Sequence, residues 1–131
     1  MAFRFGPETW GSNLWFAIHT WALSYPLNPS DADRFAAAAY FNNLPNLIPC
    51  PKCGSDFAAI LLMYPVENAL DSRADLVEWS WRVHNIVNQK IGKAEIAFET
   101  FLSNYGVVNG FPSFSTHVSG AAIKAIYRAF W

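Results

Sequence analysis

The sequence predicts an all-α protein built from five helices. Apolar side chains recur in several segments at positions i, i+3, i+4 and i+7, which is helical periodicity. Proline and glycine separate these segments, and few stretches alternate with a period of two residues. Because the chain has 131 residues and no internal repeat, a single domain is expected from its length.

The first two helices are bounded by proline and by a capping serine. The first is expected over about residues 7–24, because Pro7 is favoured in a first helical turn and Pro26 follows the apolar run. Its apolar stripe consists of Leu14, Trp15, Ile18, Trp21, Ala22 and Tyr25. The second helix follows Ser30, a good N-cap, and ends at about residue 44 or 47, with Pro45 kinking or shortening it.

The later helices follow from similar signals. The third opens at the segment Pro49–Cys53 and runs to about residue 63. Ser72, with Asp75 three residues on, caps a fourth, which continues to about residue 91 before Gly92. A fifth is expected over about residues 94–104, then a Gly/Pro/Ser-rich loop over 106–116 and an amphipathic turn or helix over 117–130. We therefore expect a domain of residues 1–105 and a C-terminal extension of residues 106–131.

Composition and charge narrow the function classes. The net charge is −1, so the chain lacks the basic footprint of a nucleic-acid-binding protein. No run of 18 apolar residues is free of polar interruption, so no membrane span is expected. Aromatic residues make up 17% of the chain. They fit a helical core, a buried oligomer face or a pocket for a planar cofactor equally well.

The two cysteines, Cys50 and Cys53, are the strongest chemical signal. They stand at i and i+3 where the third helix begins, so they can close a disulfide. The helix N-terminus stabilises a thiolate on Cys50, and Lys52 adds a positive charge nearby. Two thiolates do not make a zinc site, which needs four protein ligands or three plus water, so no metal is expected. A thioredoxin-like site would need a preceding strand, and none is predicted.

Two helix stripes carry further candidate residues. His84 and Asn88 lie one turn apart on the fourth helix, where asparagine has no helix propensity to explain it. If buried, each amide needs a hydrogen-bond partner, which the edge of a heteroaromatic ligand would supply. On the first helix Trp15 and His19 share a face, and Gly11 permits close backbone approach. Taken separately, each stripe is explained at least as well by an ordinary helical core.

Taken together and in order, these motifs resemble the ERV/ALR family of flavin-linked sulfhydryl oxidases, and especially its short viral members. The resemblance runs from about Trp10 to Lys93. The matching residues are Gly11, Trp15, His19 and Pro26 in the first helix; Pro49, Cys50 and Cys53; then Tyr64, Pro65, Ser72, Arg73, Leu76 and Trp79; and finally the string His84–Lys93. The string His-Asn-x-Val-Asn-x-Lys-Ile-Gly-Lys is the most specific of these elements.

The resemblance implies a fold, a cofactor and a set of site residues. The fold is a four-helix bundle with a short fifth helix, holding FAD and usually forming a homodimer. Cys50 and Cys53 are the implied catalytic pair. The implied cofactor-binding residues are Gly11, Trp15, His19, Tyr25, Cys53, His84, Asn85, Val87, Asn88, Lys90 and Lys93, and Phe98, Phe101 or Tyr105 would cover the adenine. Ser12 stands where the family often has arginine, and the additional cysteines of larger members are absent.

The implied function is oxidation of a dithiol protein through the cysteine pair and FAD, with oxygen as electron acceptor and hydrogen peroxide as product. The substrate expected is a small CxxC or thioredoxin-like protein. Because the first residues lack the apolar segment of a secretory signal, we expect the cytoplasm or a virus particle assembled there. Two alternatives stay open, a flavin-free disulfide-exchange module and a non-catalytic helical assembly protein.

Overall fold

Within the described part of the chain, the fold consists of five α-helices and one short 3-10 helix. The computed structural model describes residues 5–107, so most of the expected extension, including the turn or helix over 117–130, lies outside the described residues. The helices are α1 (Pro7–Leu23), α2 (Asp31–Leu47), α3 (Pro51–Met63), the 3-10 helix (Val66–Ala69), α4 (Arg73–Lys90) and α5 (Phe98–Asn104). The described part contains no β-strand. The all-α prediction is confirmed, while the 3-10 helix was not expected.

Local signals set the starts of three helices. Pro7 occupies the first turn of α1. The Ser30 hydroxyl accepts a hydrogen bond from the Asp33 N–H, and the Asp33 carboxylate accepts one from the Ser30 N–H. This reciprocal pair satisfies two of the donors that a helix start leaves free. Ser72 caps α4 through the Asp75 N–H. These three starts agree with the sequence-based predictions.

Pro45 lies inside α2 without ending it, so the longer of the two predicted limits is correct. Two residues beyond that proline the helix ends at Leu47, and the chain turns into the segment that leads to α3. At this place the backbones of α2 and α3 come close. A Cβ atom added to Gly54 would collide with the Pro45 carbonyl oxygen. Gly54 is therefore required by the packing of α3 against α2.

The core lies between the α1–α4 pair and the α2–α3 pair. Ile18 and Ala22 of α1 and Val77 and Val83 of α4 are at most 1% exposed. Across the core the ring of Phe41 meets the edge of another aromatic ring, that of Trp79, with centroids 5.2 Å apart. Burying side chains of this size stabilises a fold by about 1.5–3 kcal/mol each. This packing fixes the faces that α1, α3 and α4 turn towards one another.

Helix α5 is shorter than the sequence suggested. It begins at Phe98, whereas the prediction began it four residues earlier. Residues 94–97 stay outside the helix because both polar groups of the Ile96 backbone bond to the Asn85 side chain. The Trp81 indole N–H also donates to the Ile96 carbonyl oxygen, at 2.6 Å. Long-range contacts from α4 thus override the local helix signal.

Candidate functional site

The cysteine pair sits at the start of α3. Cys50 is the N-cap residue and Pro51 occupies the first turn. The two cysteines form a disulfide with their Cα atoms 5.2 Å apart, and the Cys53 N–H donates to the Cys50 sulfur at 3.3 Å. Free backbone N–H groups at a helix start favour a thiolate on the cap residue. The position expected from the sequence is the position observed.

Lys52 forms an ion pair with a carboxylate of the same helix. Its ammonium group lies 2.9 Å from the Asp56 carboxylate one turn later. The hydrogen bond from Lys52 is the main cause that lowers the pKa of Asp56 below its usual value. The positive charge expected to act on the cysteines is therefore shared with an acidic neighbour.

A cavity of about 510 Å³ opens next to Cys53. Its walls come from α1, the α2–α3 connection, α3, α4 and the residues after α4. The lining residues are Pro7, Glu8, Trp10, Gly11, Ser12, Leu14, Trp15, Ile18, Ile48, Cys53, Asp56, Phe57, Ile60, His84, Val87, Asn88, Lys90, Ile91 and Lys93. This volume is typical of small-molecule sites. Cys53 faces the cavity and Cys50 is not among its lining residues.

The cavity brings together most of the candidate residues predicted from the sequence. Eight of the eleven cofactor-binding candidates line it: Gly11, Trp15, Cys53, His84, Val87, Asn88, Lys90 and Lys93. Its apolar walls also include residues the sequence did not single out, such as Ile48, Phe57 and Ile60. No local pattern marks these three, because they reach the cavity only through the packing of α3.

Three candidates lie outside the lining. His19 is fully buried behind His84. The Asn85 amide is bonded at both ends to the backbone of Ile96. The Tyr25 hydroxyl donates to the Leu70 carbonyl oxygen at 2.8 Å, which ties the end of α1 to the segment before α4. These side chains hold the fold around the cavity.

The structure also describes the three aromatic residues that were expected to cover an adenine. Phe101 and Tyr105 are buried and pack against His19, with ring centroids 4.7 and 5.6 Å away. Phe98 is half-buried against Trp81. None of the three aromatic residues is among the cavity lining residues. The adenine contact stays a prediction.

Aromatic rings form a stack at one wall of the cavity. The rings of Trp15 and His84 are parallel within 6°, with centroids 4.0 Å apart. His19 lies behind them, its Nε2 atom 2.8 Å from the Nδ1 atom of His84. Burial lowers the pKa of His19 to about 3. Burial, the neighbouring His19 and Lys93 also lower the pKa of His84. Both imidazoles are neutral in the folded protein at physiological pH.

Because both histidines are neutral when buried, the protein should become less stable as the pH is lowered. Between pH 6.5 and about 3, His19 binds a proton in the unfolded chain but not in the folded protein. The unfolded state then binds more protons, so the free energy of unfolding should decrease as the pH drops through this window. The expected slope is about 1.4 kcal/mol per pH unit for each such histidine. Urea unfolding of the apoprotein between pH 7 and pH 4 measures it.

The control is a double variant, His19→Gln with His84→Gln, which has no titrating imidazole in the core. It should unfold more easily at pH 7 but depend less on pH above 4. Equal slopes in both proteins would contradict the assignment.

Gly11 lines the cavity, and packing among the described residues does not require a glycine there. A Cβ atom at this position would lie 3.6 Å from the Pro7 Cβ, an ordinary contact. Glycine inside a helix costs about 1 kcal/mol relative to alanine. The missing side chain therefore leaves space in the cavity.

The two helical glycines, Gly11 and Gly54, should respond in opposite directions to alanine. Gly54→Ala forces α3 away from the Pro45 carbonyl group and should destabilise the apoprotein by about 1–3 kcal/mol. Gly11→Ala should stabilise the apoprotein by up to about 1 kcal/mol, because alanine is the better helix former. Chemical denaturation of both variants measures the difference. A destabilising Gly11→Ala would show that the glycine serves packing.

Asn88 is a buried amide that faces the cavity. Its residue is 4% exposed and lines the cavity. Within residues 5–107 its side chain forms no hydrogen bond. Its side-chain nitrogen and oxygen still reach the open cavity, because neither atom is shut off from solvent. This position is therefore suited to a ligand that carries hydrogen-bonding groups.

Comparison with known proteins assigns the family. The model of the Erv1 / Alr family matches residues 12–106, a range that begins within α1 and extends past the end of α5. The chain belongs to the Erv1/Alr family. The matched range includes the cysteine pair and all of the cavity-lining residues from α3 and α4. The resemblance identified from the sequence motifs is confirmed.

The relatives of this Erv1/Alr chain include viral and fungal proteins. A probable FAD-linked sulfhydryl oxidase of Acanthamoeba polyphaga mimivirus is 38% identical over 70% of this chain and 65% of its own length. The mitochondrial FAD-linked sulfhydryl oxidase erv1 of Schizosaccharomyces pombe is 30% identical over 63% of this chain and 46% of its own length. The chain thus spans about two-thirds of the first relative and under half of the second.

Solved structures agree with the fold. The yeast Erv1 core superposes with a TM-score of 0.73 over 82% of this chain and 90% of its own, at 24% identity. The FAD-binding domain of Erv1 from Saccharomyces cerevisiae gives 0.72 over 77% and 94%, at 26% identity. The bundle of four long helices with a short fifth is the architecture predicted from the family resemblance.

The described residues also bear on two other kinds of site, a membrane span and a metal centre. Among the helices of residues 5–107, none combines the length and apolar character needed to cross a membrane. In the same range no three His, Cys, Asp or Glu side chains cluster as a metal site would require.

Proposed function

We propose that the protein is an FAD-dependent sulfhydryl oxidase. It takes two electrons from a dithiol through the Cys50–Cys53 disulfide, and oxygen finally accepts them to give hydrogen peroxide. The observation that carries this proposal is the position of Cys53, which lines a cavity of about 510 Å³ while Cys50 does not. The names of the relatives and the family match support the same activity.

The chemical groups that line the cavity suit FAD. Asn88 offers an amide that has no hydrogen bond within the described residues, and a heteroaromatic edge would satisfy it. Around Gly11 the side chains of residues 5–107 leave space for a ligand group. Lys90 and Lys93 line the cavity and suit the negative charge of a pyrophosphate. The stacked rings of Trp15 and His84 provide a flat wall for a planar group.

FAD, when bound, would accept two electrons from a dithiol and pass them on to oxygen. The protein's own residues perform the thiol exchange. A substrate thiolate attacks Cys50, forms a mixed disulfide and releases Cys53 as a thiolate. The second substrate thiolate then attacks the substrate sulfur of that mixed disulfide, closes the substrate disulfide and releases Cys50. The net reaction converts two thiols and one O₂ into one disulfide and one H₂O₂.

Two features of α3 favour this order of attack. Cys50 is the N-cap, where the helix start lowers the free energy of a thiolate and makes it a good leaving group in exchange. Cys53 faces the cavity, whereas Cys50 is not among the lining residues, so Cys50 is the sulfur left for a protein thiol to attack. We therefore assign Cys50 to the substrate and Cys53 to the cofactor.

Oxygen consumption tests the proposed function. Purified protein supplied with FAD and a small dithiol should consume one O₂ per disulfide and release one H₂O₂. Cys53→Ala, with the same FAD present, serves as the blank. Disulfide exchange without oxygen uptake would instead support a flavin-free module, and neither reaction would support a non-catalytic assembly protein.

The protein substrate is proposed to dock beside Cys50. Leu47, which precedes it by three residues, is 70% exposed, and Pro49 and Pro51 on either side of Cys50 are exposed as well. These exposed apolar residues next to a reactive sulfur suit a partner whose own cysteine lies in an apolar surface. A small CxxC or thioredoxin-like protein has such a surface. The chain itself supplies only two cysteines, so electrons come directly from another molecule.

A trapping experiment identifies this partner. In Cys53→Ser the mixed disulfide through Cys50 cannot resolve internally, so a dedicated partner should accumulate as one covalent adduct. Adding Leu47→Asp should reduce trapping, whereas Leu62→Asp, at the far end of α3 and 84% exposed, should not. A smear of unrelated proteins would contradict a dedicated partner and leave the oxidase activity standing.

We further propose that the protein forms a homodimer and acts in the cytoplasm or in a virus particle assembled there. Two large rings, those of Trp21 on α1 and Phe35 on α2, are 46% and 78% exposed and would be covered in a dimer. Similarity to mimivirus and African swine fever virus proteins supports the proposed location. Sedimentation of the wild type and of Phe35→Glu tests this proposal. The wild type should sediment as a dimer and the variant as a monomer.

A further inference from the structure

The segment that joins α4 to α5, residues 91–97, forms part of the cavity wall. It contains no helix or strand, and residues 91–95 are all exposed. Ile91 and Lys93 nevertheless line the cavity. An exposed connection loses conformational entropy when it is held in one place, so specific contacts must keep this segment at the cavity. The structure shows two such attachments, one at each end of the stretch from Lys93 to Ile96.

The first attachment is the turn at the C-terminus of α4. Gly92 has a φ of 77°, in the left-handed region that glycine adopts readily. The Gly92 N–H donates to the Gln89 carbonyl oxygen at 3.3 Å, and the Lys93 N–H donates to the Asn88 carbonyl oxygen at 2.8 Å. These two bonds form a Schellman motif. The Lys93 backbone is therefore bonded directly to Asn88, whose residue also lines the cavity.

The second attachment consists of three hydrogen bonds from α4 to the backbone of Ile96. The Asn85 amide nitrogen donates to the Ile96 carbonyl oxygen and its amide oxygen accepts from the Ile96 N–H, both at 2.9 Å. The Trp81 indole N–H donates to the same carbonyl oxygen at 2.6 Å. Only two residues separate Lys93 from Ile96, so both ends of this short stretch are tied to α4.

The lysine between these attachments is charged and close to the cavity. Lys93 is a lining residue, and its positive charge contributes to lowering the pKa of His84, which lines the same cavity. An ammonium group is a common binding partner for phosphate oxygens. Its usefulness to a ligand depends on where its backbone is held, because a long flexible side chain loses entropy when it binds.

We propose that Asn85 is a positioning residue that, through Ile96 and together with the Gly92 turn, holds Lys93 where its ammonium group binds the phosphate groups of the cofactor. Asn85 thus contributes to cofactor affinity without touching the cofactor, and Trp81 supports the same attachment. The phosphate contact rests on the proposed function, whereas the two attachments belong to the chain alone.

A double-mutant cycle measures whether Asn85 acts through Lys93. Lys93→Gln should weaken FAD binding by at least about tenfold, the effect of losing a hydrogen bond to a charged group. Asn85→Ala should weaken it by about threefold to tenfold, because part of that contact is lost. In the double variant the FAD affinity should equal that of Lys93→Gln alone, since there is no longer an ammonium group to position. If Asn85→Ala does not fold, Trp81→Phe, which removes only the indole N–H, takes its place.

Three further variants complete the experiment. Gln89→Ala alters an exposed side chain of α4 outside the cavity lining and should bind FAD as the wild type does. A Cβ atom at Gly92 would meet nothing within 4 Å, so any effect there comes from the backbone conformation. Gly92→Val should therefore weaken FAD binding, whereas Gly92→Asn should stay closer to the wild type, because asparagine tolerates the left-handed region.

Hydrogen exchange in the full-length apoprotein tests the attachments without any cofactor. The Lys93 and Ile96 amides should be protected in the wild type, and the Ile96 amide should exchange at least about tenfold faster in Asn85→Ala. Rapid exchange of both amides in the wild type would overturn the proposal. So would losses of FAD affinity that add in the double variant, or a Lys93→Gln variant that binds FAD as the wild type does. Failure of the wild type to bind FAD would contradict the proposed function and, with it, the phosphate contact.

Discussion

Replacing either cysteine of the pair should lower dithiol oxidation by about 10³-fold or more, because no disulfide can then form. The two variants should nevertheless differ in their absorption spectra. In Cys50→Ala a Cys53 thiolate remains at the cavity wall, where it should give a long-wavelength charge-transfer band with oxidised FAD. In Cys53→Ala the remaining sulfur lies outside the cavity lining, and no such band is expected. Titration with FAD under anaerobic conditions, followed by absorbance, measures the difference.

Ser55→Ala is the control for this comparison, because Ser55 is exposed on α3 and is not among the cavity lining residues. It should keep both turnover and the wild-type spectrum. A band in Cys53→Ala and none in Cys50→Ala would reverse the assigned roles.

Asn88→Ala should separate cofactor binding from folding. The Asn88 side chain has no hydrogen bond within residues 5–107, so its removal should leave the stability of the apoprotein nearly unchanged. With FAD, each lost hydrogen bond that leaves a buried ligand group unpaired costs about 1–3 kcal/mol. FAD affinity should therefore fall by about 10- to 100-fold or more. Calorimetric titration with FAD and thermal unfolding of the apoprotein measure the two effects.

Asn85→Ala is the matched comparison from the same helix. Its amide forms two hydrogen bonds to the Ile96 backbone, both 2.9 Å long. Their loss should destabilise the apoprotein by about 1–3 kcal/mol and change FAD affinity less than Asn88→Ala does. If Asn88→Ala binds FAD as tightly as the wild type, that amide does not contact the cofactor.

Features set by neighbouring residues could be predicted from the sequence. The caps at Ser30 and Ser72 and the cysteine pair at the start of α3 depend on groups three residues apart. Such contacts form whenever the local helix forms, whatever surrounds it. The family resemblance added the cofactor and eight of the cavity-lining residues, because a sequence motif records spatial neighbours that are far apart in the chain.

Features that depend on distant contacts could not be predicted. The start of α5 was placed too early, because the bonds from Asn85 to Ile96 join residues 11 positions apart. His19 and His84 are 65 positions apart, so their shared hydrogen bond has no local signature. The contact between the Ser80 hydroxyl and His19 also joins distant residues, and it depends on the packing of α1 against α4.

The most direct test is the absorption spectrum of the purified full-length protein, with flavin quantified after heat release. The position of Cys53 at a cavity lined by Trp15, His84 and Asn88 predicts a yellow protein that holds one FAD per chain. The same chain with Asn88→Ala should be purified with markedly less flavin. A colourless wild type that does not take up added FAD would contradict the proposal that this cavity is a flavin site.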